Sequence, residues 1–188
     1  KNILYEAGRK IAVADNAEGI LAAIVTQAAP DATGSALILF GPIDQFGQVS
    51  FLESAAVYSD QPTDFKLLAG ERYRPEQLPM AATTASSEPI VIEDSEKADM
   101  RLKQTLSRLG ARAFISLPLI AGSQHLGALI LSYRQPRSFS SETMQILQAL
   151  ASQAAVAVHS QQLLAETQTT LKQLDAINRR LTGEAWRD

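Results

Sequence analysis

The sequence predicts an α+β domain of three layers around a central, mostly antiparallel sheet. Apolar residues recur first at helical spacing and then by alternation, in the order helix, helix, strand, strand, loop, strand, helix, strand, strand, helix. Strands joined by short turns pair as antiparallel neighbours, and the helices then collect on the faces of the sheet. The chain has 188 residues, 46% hydrophobic and 20% charged, which suffices for one globular domain with an appendage.

Two helices are predicted at the start of the chain. Residues 1–14 form a connector helix, with its stripe at Leu4, Ala7, Ile11 and Ala14. Asp15 or Asn16 caps the second helix, which ends before Pro30. We expect this helix to pack beside the C-terminal helix on one face of the sheet. Its buried stripe consists of Ile20, Leu21, Ile24, Val25 and Ala28.

The next elements are a hairpin and a long irregular segment. Residues 36–40 are a continuous apolar run, and residues 49–58 form a second strand after a short loop. Residues 59–87 contain prolines, a glycine and a polar run that interrupt any regular period. A long irregular segment in a compact domain is usually functional or mobile.

Residues 89–92 predict a short strand, and Asp94 or Ser95 is expected to cap the helix that follows. The inner face of that helix carries Leu102, Leu106 and Leu109, and Gly110 ends it.

The closing half of the domain is a hairpin followed by a helix. Residues 111–120 alternate, with Ala113 and Ile115 on one face and Phe114 and Ser116 on the other. Gly122 supplies the positive φ of a short turn, and residues 125–134 pair back. Ser140 can cap the last helix, where Phe139 can pack on Met144 as a hydrophobic staple.

This order of elements resembles the C-terminal half of a GAF domain. The resemblance rests on Leu117-Pro118-Leu119, a glycine-bearing turn, Leu126-Gly127-Ala128-Leu129, Phe139-Ser140 and the long helix. Since the preceding segments fit the same family in order, the GAF-like domain covers residues 15–164. The resemblance implies terminal helices on one face of the sheet and an irregular loop with short helices on the other.

The resemblance also implies a small-molecule site on the face opposite the terminal helices, beneath the irregular segment. Its polar anchors would be Ser116, Tyr73 and Arg112. The alternative is that the apolar members fill the core and that Arg112 forms a solvated pair with Asp94. The candidate walls are Phe51, Tyr58, Tyr73, Met80, Ile92, Met100, Arg112, Phe114, Ser116 and Ser132.

Residues 165–188 predict a coiled-coil or signalling helix. Apolar and polar residues recur at a and d positions of a heptad, and an asparagine at an a position favours a parallel register. We expect a parallel homodimer, the alternative being a lone, solvated connector helix. The segment resembles the helices that join GAF domains to one another or to histidine kinases. The interface residues would be Leu164, Thr167, Leu171, Leu174, Asn178 and Leu181.

The sequence argues against catalysis by this chain. His125 and His159 are the two histidines, and they lie on separate elements, so we do not expect them to share a metal. Cysteine is absent, which excludes the thiol chemistry of methionine sulfoxide reductases of the family. The same absence argues against a covalently attached bilin, and the histidine positions argue against haem. The series of residues with which some members bind cyclic nucleotides cannot be placed, so the ligand stays open.

Charge and composition limit the possible binding partners and the cellular compartment of the protein. A net charge of -3 gives no basic footprint for nucleic acid or for a membrane surface. The lack of cysteine fits a reducing compartment, and we expect a cytoplasmic fragment of a longer protein, because Lys1 is not a start methionine.

The predicted function is that of a non-enzymatic sensory GAF domain in a multidomain signal-transduction protein. It would sense a small ligand or signal and pass it through a dimeric helix to an effector in the same full-length chain, with a histidine kinase as one candidate. The alternative is a ligand-free dimerisation and spacer domain.

Overall fold

A computed structural model describes residues 2–60 and 63–187 of the chain. Lys1, residues 61–62 and Asp188, which the sequence analysis assigned to the connector, the irregular segment and the tail, lie outside the described residues. The helices are α1 (Ile3–Ala12), α2 (Ala17–Ala28), α3 (Ala81–Thr84), α4 (Met100–Arg108) and α5 (Ser141–Ala185). The strands are β1 (Gly34–Phe40), β2 (Leu52–Ser59), β3 (Arg72–Tyr73), β4 (Ile90–Ile92), β5 (Ala113–Ala121) and β6 (Gln124–Tyr133).

The strands form one sheet of six in the order β3-β2-β1-β6-β5-β4, and every neighbouring pair is antiparallel. Helices α1, α2 and α5 form a layer on one face, and the segments between β2 and β5 cover the other. The predicted α+β architecture of three layers is therefore confirmed.

Alternation along β5 separates two apolar cores. Ala113, Ile115 and Leu117 are buried against the helical layer, together with Ile11 of α1 and Leu150 of α5. Phe114 faces the other way. It belongs to the second core with residues of β1, β6 and α4, namely Ala36, Ile38, Ala128, Ile130 and Leu106. Each large side chain buried in this way contributes about 1.5–3 kcal/mol.

The predicted connector helix packs within the helical layer. Ala7 and Ile11 are buried there, and Gln161 of α5 donates a hydrogen bond to the Ala14 carbonyl at 3.0 Å. Asn16 caps α2 by accepting from the backbone N–H of Gly19 at 2.9 Å. The second of the two predicted caps, Asn16 rather than Asp15, is therefore the one used.

Two positions of the β5–β6 hairpin require glycine. Gly122 has φ of 61°, the left-handed backbone that the predicted turn requires. Gly127 has φ of 155°, and a Cβ there would lie 1.9 Å from the Ile38 carbonyl oxygen of β1. Only glycine therefore allows β6 to approach β1 this closely.

The predicted cap of α4, Asp94 or Ser95, is wrong, because a short 3₁₀ turn that begins at these residues lies before the helix. Asp94 accepts from Glu96 N–H at 3.1 Å and caps a 3₁₀ turn over Ser95–Lys97. Ala98 then adopts extended backbone, with φ of -80° and ψ of 166°, which separates the two helices. Asp99 caps α4 by accepting from Leu102 N–H at 2.9 Å.

The irregular segment contains more regular structure than the sequence analysis predicts. Strand β3, a 3₁₀ turn over Pro75–Gln77 and the single turn α3 all lie within residues 59–87. Each is too short to leave a period in the sequence.

Helix α5 runs for 45 residues without interruption. Ser140 caps it by accepting from Thr143 N–H at 3.1 Å, as predicted, and both Phe139 and Met144 pack on the first core. The buried residues of the helix end at Val158, and from residue 162 onwards its side chains are exposed. Among the described residues, no helix is both long and apolar enough to cross a membrane.

Candidate functional site

A small cavity of about 60 Å³ lies between the sheet and the irregular segment. Its floor is the cavity-facing side of β1, β5 and β6, where Ala36, Phe114 and Ile130 are buried. Its roof comes from residues 63 and 65–67 of the irregular segment and from Met80, and Leu109 closes one end. The cavity therefore occupies the sheet face on which the resemblance places a ligand.

Four of the ten predicted wall residues contribute to this cavity: Tyr58, Met80, Phe114 and Ser132. Met80 and Phe114 are buried, and Ser132 lies on β6 beside Gly34. Tyr58 lies at the rim and is 52% exposed, because its strand neighbour Val57 faces the second core instead.

A bulge in β2 explains the position of Tyr58. Leu37 of β1 pairs with Ala56 and Ile38 pairs with Ser54, which leaves Ala55 as an extra residue. Beyond the bulge the strand presents Ala56 to the helical layer, and Tyr58 shares that face.

Three predicted apolar walls lie elsewhere. Phe51 packs beneath the Arg72 guanidinium, which lies 4.5 Å from the ring centroid. Ile92 on β4 pairs with Phe114 and packs on the second core without reaching the cavity. Met100 is 68% exposed, because the first residue of α4 points away from the domain.

The predicted polar anchors are also engaged away from the cavity. The Tyr73 hydroxyl accepts from Leu68 N–H at 3.0 Å, and the Ser116 hydroxyl donates to the Thr83 carbonyl at 3.2 Å. Both bonds fix the irregular segment to the sheet. These residues therefore hold the roof of the cavity in place.

Arg112 pairs with Asp94, as the alternative interpretation anticipated. Arg112 Nη2 donates to Asp94 Oδ1 at 2.9 Å, and the two side chains are 40% and 20% exposed. The Arg112 hydrogen bond lowers the pKa of the Asp94 carboxyl, with a second contribution from the Glu96 backbone N–H.

Sequence reasoning missed the loop residues that roof the cavity: Thr63, Phe65, Lys66 and Leu67. The Thr63 hydroxyl donates to the Phe65 carbonyl, and Phe65 N–H donates to the Arg108 carbonyl at 3.1 Å. The apolar residues at 65 and 67 in a polar stretch are the signal that could have found this contact.

A second groove of about 480 Å³ runs between α2 and the β1–β2 pair on the helical face. It is lined by Leu21, Val25 and Ala56 among others, and Ser35 lies at its base. The Ser35 hydroxyl is buried and has no hydrogen-bond partner among the described residues. This is an unfavourable arrangement for a buried hydroxyl.

Exposed leucines follow one side of α5 beyond the domain. Leu171 and Leu174 are 59% and 53% exposed, and the other apolar members of the predicted interface, Leu164 and Leu181, are also exposed. Thr167 donates to the Leu163 carbonyl of its own helix at 2.9 Å. Asp175–Arg179 and Arg180–Glu184 ion pairs add local support to the helix.

The two histidines occupy different parts of the fold. His125 Nε2 lies 3.0 Å from the Gly127 carbonyl oxygen and its ring contacts Phe40, whereas His159 lies on α5. Across residues 2–60 and 63–187, no group of three or more histidine, cysteine, aspartate and glutamate side chains is arranged to hold a metal ion.

Comparison with known proteins places this geometry in a family. The family model described as the GAF domain matches residues 16–158. A search of curated proteins gives no match.

Three solved structures share the fold. The GAF domain of an Acinetobacter phosphoenolpyruvate-protein phosphotransferase has a TM-score of 0.63 at 16% identity, covering 85% of this chain and 92% of that one. The chromophore-binding domain of the R. palustris bacteriophytochrome RpBphP3 has a TM-score of 0.64 at 10% identity, covering 87% and 61%. A domain of a putative two-component sensor histidine kinase from Sinorhizobium meliloti 1021 has a TM-score of 0.57 at 18% identity, covering 89% and 97%.

Proposed function

The chain belongs to the GAF domain family. We propose that it is a sensory module, which senses a small ligand or signal at its cavity face and relays it through a dimeric α5 helix. GAF domains are sensory and regulatory modules of signalling proteins such as phytochromes and sensor kinases. The output would be an effector in the same full-length protein, and the chain itself would not be catalytic.

The continuity of α5 is the observation that carries the proposal. One unbroken helix of 45 residues packs on the sheet through Leu147, Leu150 and Ala154 and then projects from the domain. A helix of this length spans about 68 Å, and it transmits a rotation or translation of its packed half to its far end. The tail therefore suits a connector to an effector.

The exposed side of the tail supports pairing with a second copy. Leu171, Leu174 and Leu181 expose apolar surface that a parallel partner helix would cover, at about 1.5–3 kcal/mol for each leucine fully buried. Asn178 falls at an a position, where two asparagines can bond across a parallel dimer and fix its register.

The cavity side would act on α5 through β5. Phe114 lines the cavity, while its neighbours Ala113 and Ile115 pack in the first core with α5. If β5 can adopt two alternative placements, a ligand with different affinities for the two states would shift the helix. A ligand that binds both states equally would shift nothing.

A ligand-free dimerisation and spacer domain is the second candidate. The size of the cavity, about 60 Å³, favours it, because ligand sites for drug-sized molecules commonly occupy roughly 300–1,000 Å³. In that case α5 would align two effectors without responding to a signal.

Replacing the tail leucines tests the dimeric relay. We expect the purified chain to show a dimer mass in light scattering, and the double variant Leu171→Asp/Leu174→Asp to show a monomer mass, because the paired carboxylates would be buried at the seam. The control is Thr169→Asp/Gln173→Asp, which adds the same charge on the outer side of the helix and should stay dimeric. A monomeric wild type, or a dimeric Leu171→Asp/Leu174→Asp variant, would contradict the proposed interface.

A further inference from the structure

The groove between α2 and the β1–β2 pair has a polar side chain at its base. Ser35 of β1 pairs with Tyr58 of β2 on one side and with Leu131 of β6 on the other. Leu131 belongs to the first core, and residues paired across antiparallel strands share one face of the sheet. The Ser35 side chain therefore points to the helical layer, and it lines the groove there.

The Ser35 hydroxyl has no partner in the folded chain. Ser35 is 4% exposed, and within the described part of the chain its Oγ makes no hydrogen bond. A buried hydroxyl without a partner lowers stability, and alanine at the same position on an apolar face would avoid that cost. A hydrogen-bonding group of a bound molecule would satisfy this hydroxyl.

The Tyr58 side chain lies between this hydroxyl and solvent. Tyr58 is 52% exposed and stands directly across from Ser35, where the side chains of paired residues are neighbours. Among residues 2–60 and 63–187, none forms a hydrogen bond or a ring contact with the Tyr58 side chain. The ring can therefore turn aside without loss of a bond and open the groove to Ser35.

The remaining lining is mainly apolar and offers no partner for a bound charge. Glu18 is the one charged residue in the described lining, and it is exposed. A charge buried against such a surface without a partner is unfavourable. The lining therefore suits a neutral molecule. Its apolar members are Leu21, Ala22, Val25, Pro30, Ala56 and Val57.

The volume sets the size of that molecule. The groove measures about 480 Å³, within the range of roughly 300–1,000 Å³ that ligand sites commonly occupy. Benzene fills an engineered cavity of about 150 Å³. A molecule of one or two rings therefore fits the groove.

From these observations we propose that the groove binds a neutral, mainly apolar molecule of one or two rings that carries a hydroxyl or carbonyl group. That group hydrogen-bonds the Ser35 hydroxyl, and the rings contact Val25 and Ala56. The site lies on the opposite face of the sheet from the cavity, so it goes beyond the proposed function and does not depend on the relay.

Titration followed by ¹H–¹⁵N NMR tests the site, with p-cresol as the probe. We expect p-cresol to give saturable shifts at the amides of Val25, Ala56 and Tyr58. Toluene has the same ring and methyl group without the hydroxyl, and should bind about tenfold more weakly. The anion p-toluate should give no saturable shifts at these amides.

Variants separate the hydrogen bond from the shape of the groove. Ser35→Ala should weaken p-cresol binding about tenfold and leave toluene binding unchanged, because it removes only the hydroxyl. Ala22→Trp should abolish the shifts with both probes, since an indole at this exposed position of α2 fills the groove. Ala165→Trp, at an exposed position of the tail, is the matched control and should bind like the wild type.

Four outcomes would overturn the proposal without bearing on the cavity or the relay. Equal binding of toluene and p-cresol, or an equal loss of both in Ser35→Ala, would remove the role of the hydroxyl. Saturable binding of p-toluate would contradict the neutral class. Absence of p-cresol shifts, or their persistence in Ala22→Trp, would exclude the site. A lower mass of Ala22→Trp in light scattering would show that a second copy of the chain covers the groove instead.

Discussion

Replacing Gly127 by alanine tests the closest backbone approach in the sheet. Gly127 lies on β6 opposite Leu39 of β1 and Leu119 of β5, with φ of 155°. An added Cβ would lie 1.9 Å from the Ile38 carbonyl oxygen and 2.9 Å from Leu39 Cα. Both atoms belong to the backbone, so no side-chain rotation can relieve the overlap.

The expected cost follows from what must move. Relief requires β1 and β6 to separate locally, and losing about two ladder hydrogen bonds costs roughly 2 kcal/mol. Holding alanine at a disfavoured backbone angle adds about 1–3 kcal/mol. We therefore expect Gly127→Ala to lower the free energy of unfolding by about 4 kcal/mol, a large part of the stability of a small domain.

Urea unfolding followed by circular dichroism measures this loss, with Gly122→Ala as the control. Gly122 lies in the turn of the same hairpin with φ of 61°, but no atom comes within 4 Å of an added Cβ there. Its substitution should cost only about 1–2 kcal/mol, the strain of left-handed backbone. An equal or smaller loss for Gly127→Ala would refute the close-contact reasoning.

Two further predictions concern the polar groups of the domain. Ser35→Ala should raise the free energy of unfolding by about 1 kcal/mol, because it removes a buried hydroxyl without a partner. Ser54→Ala should lower it, because Ser54 donates to the Leu68 carbonyl; equal effects of the two variants on urea unfolding would contradict this. The Asp94 carboxyl should titrate by NMR below its ordinary pKa of 3.8, and Arg112→Gln should move that pKa upward, since the Arg112 hydrogen bond is the main cause of the shift. The stabilisation from this pair is present above pH 3.8 and is lost as pH falls through the folded-state pKa, so an unchanged midpoint in Arg112→Gln would count against it.

The sequence predicts the sheet well where one period governs a strand. The faces of β5 follow from alternation alone, so Phe114 was placed correctly on the cavity side and Ile115 on the helical side. The cap at Ser140 was equally predictable, because one capping residue precedes a clear helical period. Near α4, by contrast, Asp94, Ser95 and Asp99 can all cap, and only the extended backbone at Ala98 decides between them.

The cavity was predicted only in part, for two physical reasons. The extra residue at Ala55 reverses the faces of β2, so Tyr58 lies on the helical side although simple alternation gave no sign of it. The roof at Thr63 and Lys66 is held by local hydrogen bonds and by the Phe65 contact to α4, and such contacts leave no periodic signal.

In the proposed relay, strand β5 is the element that would carry a change in the cavity to the tail. Its Phe114 side chain borders the cavity, and its Ile115 side chain packs in the core that buries α5 residue Leu150. Because that core is close-packed, a displacement of β5 cannot be absorbed by empty space and must be passed to α5 or opposed by it. In the proposed relay, a ligand that leaves Phe114 in place would fill the cavity without a signal, whereas one that shifts Phe114 would also move the helix. The relay thus requires a ligand to displace Phe114, and a bound ligand that leaves the NMR signals of Phe114 and Ile115 unchanged would mean binding without relay.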